Sequence, residues 1–121
     1  MSNTVLLLLC LLLFKHIIAD YFLQKPWNDK GVYGGKGGIH HAIIHGIGTL
    51  IVLFYFVTPA MAIILSFLDG IIHYHIDYAK TNIKSKFKLN RAQTLYWGLH
   101  GVDQYLHILT YILIVYYLGG G

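Results

Sequence analysis

The run PAMAIILSFLDGIIHYHIDY, residues 59–78, decides the fold, because it is long and apolar enough to cross a bilayer. It also carries ionisable side chains at a regular spacing. Asp69, His73 and Asp77 lie four residues apart, so a helix places them on one face. Most other positions of the run are apolar. The pattern therefore predicts a membrane-spanning helix whose single polar stripe faces a protein interior.

The composition of the whole chain favours the same class. Of 121 residues, 56% are hydrophobic and 12% are charged, there is no glutamate, and the mean hydropathy is +0.58. Soluble domains carry about 25% charged residues. A soluble globule, a disordered chain, a coiled coil and a nucleic-acid-binding domain are excluded on this ground. The length suits one domain, residues 1–121, embedded in a lipid bilayer.

Four apolar windows are long enough to span the membrane: residues 4–23, 39–57, 59–78 and 92–118. They predict an all-α, polytopic bundle of four transmembrane helices. Only a turn around Thr58 and Pro59 separates the second and third windows, which predicts an antiparallel hairpin. The first fourteen residues lack the basic start and the small-residue cleavage site of a secretory signal, so we expect a retained membrane anchor.

The two longer connections are basic. Residues 24–38 contain three lysines and one aspartate, a net +2, and residues 80–91 contain four lysines and Arg91, a net +5. The positive-inside rule places both loops in the cytoplasm and both termini outside. The expected location is a membrane that the chain crosses several times.

Each predicted span carries a polar stripe, and all stripe residues fall in the cytoplasmic half. The ten residues are His16, Asp20, His41, His45, Asp69, His73, Asp77, His100, Asp103 and His107. A rise of about 1.5 Å per residue puts Asp20, His45, His73 and Asp103 at one depth. Carboxylates inside a bilayer are costly unless they are paired, protonated or bound to a cation, so they are functional candidates.

Imidazoles and carboxylates spaced by four residues on facing helices are typical of metal sites in helical bundles. Cys10 is the single cysteine, and nitrogen and oxygen ligands without thiolate suit zinc first, then iron or manganese. The predicted ligands are His16, His41, His45, Asp69, His73, Asp77, His100 and His107. Their number indicates one or two divalent ions. Taken singly, each group is equally explained as a polar contact between helices, for example an ion pair of Asp20 with Lys15.

The chain resembles the small bacterial and phage membrane proteins grouped as domain of unknown function 3307. The resemblance covers nearly the whole chain and rests on Asp20, Gln24, Trp27, Lys30, His41, His45, His73, Asp77, Lys80, Asp103, Gln104 and His107. It implies a phage or bacterial inner-membrane setting and no particular reaction. More distantly, the histidine and aspartate pattern is similar to membrane-bound metal-dependent hydrolases related to zinc-dependent phospholipase C.

The leading hypothesis is a metal-dependent hydrolase acting on a phosphate-containing or lipid-like amphiphile at the cytoplasmic face. Asp20 and Asp103 are the predicted catalytic carboxylates. The predicted substrate-binding cations are Lys30, Lys80 and Arg91.

The main alternative is a non-enzymatic phage or bacterial interaction protein, which blocks superinfection or disables a host membrane complex. Its partner would be a host membrane protein or a second copy, and the metal or polar cluster would only join the helices. A di-iron oxidase is disfavoured because no second His-His pair follows His40 and His41. A b-type haem is disfavoured by the surrounding aspartates, and transport by the apolar outer half.

Overall fold

The computed structural model of the chain describes residues 3–22 and 33–119. Four α-helices occur in these ranges: α1 (Asn3–Ile17), α2 (Lys36–Leu53), α3 (Pro59–Lys86) and α4 (Thr94–Leu118). A π-helical turn, Ile18–Phe22, continues α1 directly. The described residues contain no strand, so the all-α prediction is confirmed.

The helices form a ring. The backbones of α1 and α2, α2 and α3, α3 and α4, and α1 and α4 lie close together, whereas the described parts of the diagonal pairs lie further apart. The polar residues of α1 and α3 lie toward their C-terminal ends, and those of α2 and α4 toward their N-terminal ends. Because these ends meet, neighbouring helices run antiparallel, as short connections favour.

The α2–α3 pair packs most tightly, and glycine makes this possible. A Cβ added to Gly46 would lie 3.4 Å from the carbonyl oxygen of Ser66, and one added to Gly70 would lie 3.4 Å from that of Ala42. The hairpin turn begins after Leu53. Thr58 caps α3 by accepting a hydrogen bond from the Met61 amide, directly before Pro59.

The two ends of the bundle interior differ in polarity. One end holds an apolar cluster that includes Leu12, Leu53, Leu65 and Val115. The other end holds buried polar side chains: Lys15, His16, His41, His45, Thr49, Ser66, Asp69, His73, Asp103 and His107. The outer surface is apolar instead, with exposed residues such as Ile47 and Phe67. In the polar half of the bundle, polar side chains therefore lie inside and apolar side chains lie outside, which is the reverse of their arrangement in a soluble protein.

Helix α3 runs eight residues past the predicted end of the third span. Lys80, Lys84 and Lys86 therefore lie on the helix, and the connection to α4 shortens to residues 87–93. Two hydrogen bonds, from the Leu89 amide to the Lys84 carbonyl and from the Lys88 amide to the Ser85 carbonyl, end the helix.

Two helical segments are long and apolar enough to cross a membrane: Asn3–Asp20 and Pro59–Lys86. The four-span arrangement and its orientation remain predictions.

Candidate metal centre

One group of potential ligands gathers around Asp20, which the π-helical turn places opposite α2. The Asp20 Oδ1 atom lies 2.7 Å from His45 Nε2 and 3.1 Å from His41 Nε2. His73 completes the group from α3, and one ligand atom from each of the four residues lies within 4.8 Å of the others. Three imidazoles and one carboxylate are a set that suits tetrahedral zinc.

A second group shares His73 with the first. Asp77 Oδ2 lies 3.0 Å from His73 Nε2, and Asp77 Oδ1 lies 3.3 Å from His107 Nε2. These three residues also place ligand atoms within 4.8 Å of one another. His41 Nε2 lies 3.6 Å from Asp77 Oδ2, so the two groups are continuous.

The imidazole rings pack against one another. The centroid of His73 lies 3.6 Å from that of His45 and 4.0 Å from that of His107, with near-parallel planes in both pairs. His73 Nδ1 and His41 Nδ1 are buried without a hydrogen-bond partner in the described structure, whereas His73 Nε2 lies 3.0 Å from Asp77 Oδ2. Since buried polar atoms are nearly always satisfied and each neutral imidazole offers one lone pair, a cation bound here would satisfy an otherwise unpartnered nitrogen.

Lys15 holds His45 of the first group by contacting the ring nitrogen that does not face Asp20. Its ammonium donates to His45 Nδ1 at 3.2 Å and to the Tyr111 hydroxyl at 2.8 Å. His45 Nδ1 is then an acceptor, which leaves Nε2 directed at Asp20. The Tyr111 hydroxyl in turn lies 2.8 Å from His16 Nδ1, and His16 Nε2 lies 2.9 Å from Asp20 Oδ2. His16 therefore contacts the cluster through the carboxylate of Asp20.

Asp69 lies outside both ligand groups. Its Oδ2 atom accepts a hydrogen bond from Thr49 Oγ1 at 2.5 Å and lies 3.6 Å from the Lys15 ammonium. Lys15 thus pairs with Asp69, rather than with Asp20 alone as the sequence suggested. A Cβ on Gly48 would lie 2.6 Å from two carbons of the Lys15 side chain, so this glycine makes room for the lysine.

Asp103 and His100 form the edge of the cluster. Asp103 Oδ1 lies 3.2 Å from His107 Nε2, and Asp103 Oδ2 accepts from Gln104 Nε2 at 3.0 Å. The Lys80 ammonium donates to His100 Nδ1 at 2.8 Å and to Asp103 Oδ2 at 3.3 Å. His100 is therefore held by a lysine rather than by another ligand candidate.

Of the remaining predicted residues that the structure describes, Arg91 is not brought to this cluster. Lys30 lies outside the described residues. Arg91 is exposed in the α3–α4 connection, where its carbonyl oxygen accepts a hydrogen bond from Trp97 Nε1. His75, which does not belong to the predicted stripes, is exposed and contacts the Tyr33 hydroxyl.

Sequence reasoning overlooked Thr49 and Tyr111 as polar members of the network. Each follows a stripe histidine by four residues, Thr49 after His45 and Tyr111 after His107. Extending each stripe by one more turn would have found both.

The charges of the cluster favour a cation. Four aspartates, at positions 20, 69, 77 and 103, face the ammonium groups of Lys15 and Lys80, which leaves a net −2 when the histidines are neutral. Buried unpaired charge is costly. A divalent ion would compensate this excess.

The fold and the site together define a helical bundle with a buried histidine and aspartate cluster. Over residues 8–120 the chain matches the family described as protein of unknown function (DUF3307), and it belongs to that family. The resemblance stated from the sequence is confirmed. No curated protein and no solved structure matches the chain. The resemblance to metal-dependent hydrolases stays a prediction.

Proposed function

We propose that the protein is a multi-pass membrane protein that binds zinc at the histidine and aspartate cluster and hydrolyses a phosphate-containing, lipid-like substrate at the cytoplasmic face. The observation that carries the proposal is His73. This side chain is 1% exposed, belongs to both ligand groups, places Nε2 3.0 Å from Asp77 Oδ2, and has its Nδ1 buried without a hydrogen-bond partner in the described structure.

The apolar exterior supports the membrane setting. Ile47, Ile51 and Phe67 are 52%, 55% and 68% exposed, whereas the histidines of the two ligand groups lie inside. A bilayer accommodates such a surface, while the same area in water would favour aggregation. The basic end of α3 and the exposed Trp97 at the start of α4 mark the expected cytoplasmic edge.

In this proposal, the metal ligands and the catalytic base are different residues of the cluster. Asp20 and Asp77 lie within the ligand groups, whereas Asp103 lies outside both and contacts His107. A bound metal supplies Lewis acidity and a water that is reactive at neutral pH. Asp103 then accepts a proton from the attacking water, whose oxygen bonds to phosphorus as the ester bond breaks. The leaving oxygen takes that proton, so the reaction balances.

The burial of the ligand histidines supports the non-enzymatic alternative. His41, His45 and His107 are 2%, 0% and 2% exposed, which suits a closed structural metal. In that case the ion joins four helices of an interaction protein, and no substrate reaches it.

The first test is metal content, measured by elemental mass spectrometry on detergent-purified protein. We expect one or two ions per chain in the wild type and loss of metal in His73→Ala and His73→Gln. The matched control is His75→Ala, since His75 lies on the same helix but is exposed. A folded wild type without metal, or a His73 variant with unchanged content, contradicts the proposal.

Turnover of a soluble aryl phosphodiester, with and without chelator, then separates the two functions. We expect Asp103→Asn to retain metal and to lower kcat by about 100-fold or more. A metal-loaded wild type that hydrolyses neither this ester nor a phospholipid supports the structural alternative.

A further inference from the structure

A groove of about 440 Å³ lies between α3 and α4 on the outside of the bundle. Its apolar walls include Ile72 and Ile76 from α3 and Val102 and Leu106 from α4. The volume falls within the range of about 300–1,000 Å³ that is typical of small-molecule sites. In the proposed setting the groove faces the acyl chains of the bilayer.

The groove also reaches the cluster. Lys80 and Asp103 line it, and Asp103 lies 3.2 Å from His107 of the second ligand group. A molecule in the groove therefore lies one side chain away from the proposed metal ligands.

The polar end of the groove is lined by the ion pair of Lys80 with Asp103, in which the lysine side chain is 22% exposed and the aspartate side chain 2%. Two donors of the Lys80 ammonium are used by His100 and Asp103, and an ammonium has three. One helical turn further, the Lys84 ammonium lies 5.8 Å from the centre of the Tyr96 ring on α4. In the proposed membrane setting, Lys80 and Lys84 therefore lie at the depth of the lipid headgroups, on the α3–α4 side of the bundle.

A second groove, of about 510 Å³ between α2 and α3, lacks these features. Among the residues that the structure describes, its lining contains no aspartate, lysine or arginine and no member of either ligand group. An anionic amphiphile would find an apolar wall there, with no countercharge from these lining residues.

We infer that the α3–α4 groove binds an anionic phospholipid from the bilayer, with an acyl chain along Val102 and Leu106 and the phosphate at Lys80. The inference rests on the proposed function, for which it names the substrate class and a lateral route to the site. Lys80 determines the preference for an anionic headgroup, since its third donor forms a charge-assisted hydrogen bond with the phosphate and its charge attracts a lipid whose phosphate charge no choline group cancels.

The test is native mass spectrometry of lipid retained by the purified, delipidated chain. Phosphatidylglycerol and phosphatidylcholine with the same acyl chains are added at equal concentrations. We expect phosphatidylglycerol to be preferred by about tenfold, and Lys80→Gln to remove most of that preference. Excess glycerol phosphate should not displace the lipid, because the chain contributes to binding.

Steric variants test the location. Val102→Trp fills the groove, and Ile83→Trp offers a second such change in case the first fails to fold. Ile47→Trp is the matched control, since Ile47 lines the other groove and is 52% exposed against 56% for Val102. We expect about tenfold weaker retention in the groove variants and none of this loss in the control. Equal retention in all variants, or no preference between lipids, overturns the inference.

His73→Ala separates this inference from the proposed function. Selective lipid retention in the metal-free variant supports the groove even if the wild type hydrolyses nothing. Conversely, metal-dependent turnover of the soluble ester without selective lipid retention supports the hydrolase and rejects the groove as its lipid site.

Discussion

The His73 imidazole lies between the rings of His45 and His107, where the two ligand groups meet. If only one His73 nitrogen binds a metal, the cluster holds a single ion, and the other ligands of that ion come from one of the two groups. If both nitrogens were to bind, the ring would have to lose its N–H proton, and the resulting imidazolate would contact two ions. The metal content of the wild type distinguishes these states, because they differ in the number of ions per chain.

Lys15 is the residue whose removal should most disturb the network. Lys15→Met preserves the length of the side chain but leaves Asp69, which is 2% exposed, without its cation. Leaving a buried charge unpaired costs about 3–5 kcal/mol. We expect this loss in the free energy of unfolding in detergent, and partial recovery in the double variant Lys15→Met, Asp69→Asn. A double variant that is no more stable than the single one would show that Asp69 does not depend on Lys15.

At the scale of the helix, close packing depends on glycines at particular positions. Gly46 and Gly70 allow α2 and α3 to approach, and Gly48 leaves space for a side chain of α1. Gly101, in the middle of α4, has no atom within 4 Å of an added Cβ.

The different surroundings of Gly48 and Gly101 predict different effects when each glycine is replaced by alanine. Gly48→Ala would place a methyl group 2.6 Å from Lys15 carbons and displace that side chain. We expect a cost of about 1–3 kcal/mol. Gly101→Ala should be neutral or stabilise by up to about 1 kcal/mol, since alanine favours helix. Thermal unfolding followed by circular dichroism measures both, and equal destabilisation would contradict the packing at Gly48.

At the scale of the whole molecule, the basic and the uncharged ends of the bundle predict one orientation. Single cysteines in a Cys10→Ala background test it with a membrane-impermeant maleimide. Tyr55→Cys, at an 82% exposed position in the α2–α3 turn, should react in intact cells. Ser85→Cys, exposed near the end of α3, should react only after permeabilisation. The reverse pattern would mean that the bundle is inverted.

The helices and their polar stripes were predictable from the sequence alone. Residues four apart lie on one face of any helix, so the spacing of Asp69, His73 and Asp77 specifies their common side without reference to the rest of the fold. The prediction of an all-α chain is confirmed for the same reason, because helical periodicity is a local property, whereas two of the described helical segments are long and apolar enough to cross a membrane. Helix ends were less predictable, since α3 continues through lysines that suit either a helix or a loop.

Only the tertiary structure decided which stripe residues share a site. The rise per residue placed Asp103 at the depth of Asp20, His45 and His73, yet Asp103 contacts His107 and Lys80 instead. These contacts depend on the rotation and depth of each helix, which packing against its neighbours determines and local spacing does not. Composition and periodicity therefore determined a helical chain whose histidines and aspartates share helix faces, and they predicted a membrane setting. The shared position of His73 and the α3–α4 groove arise only from the way the four helices meet.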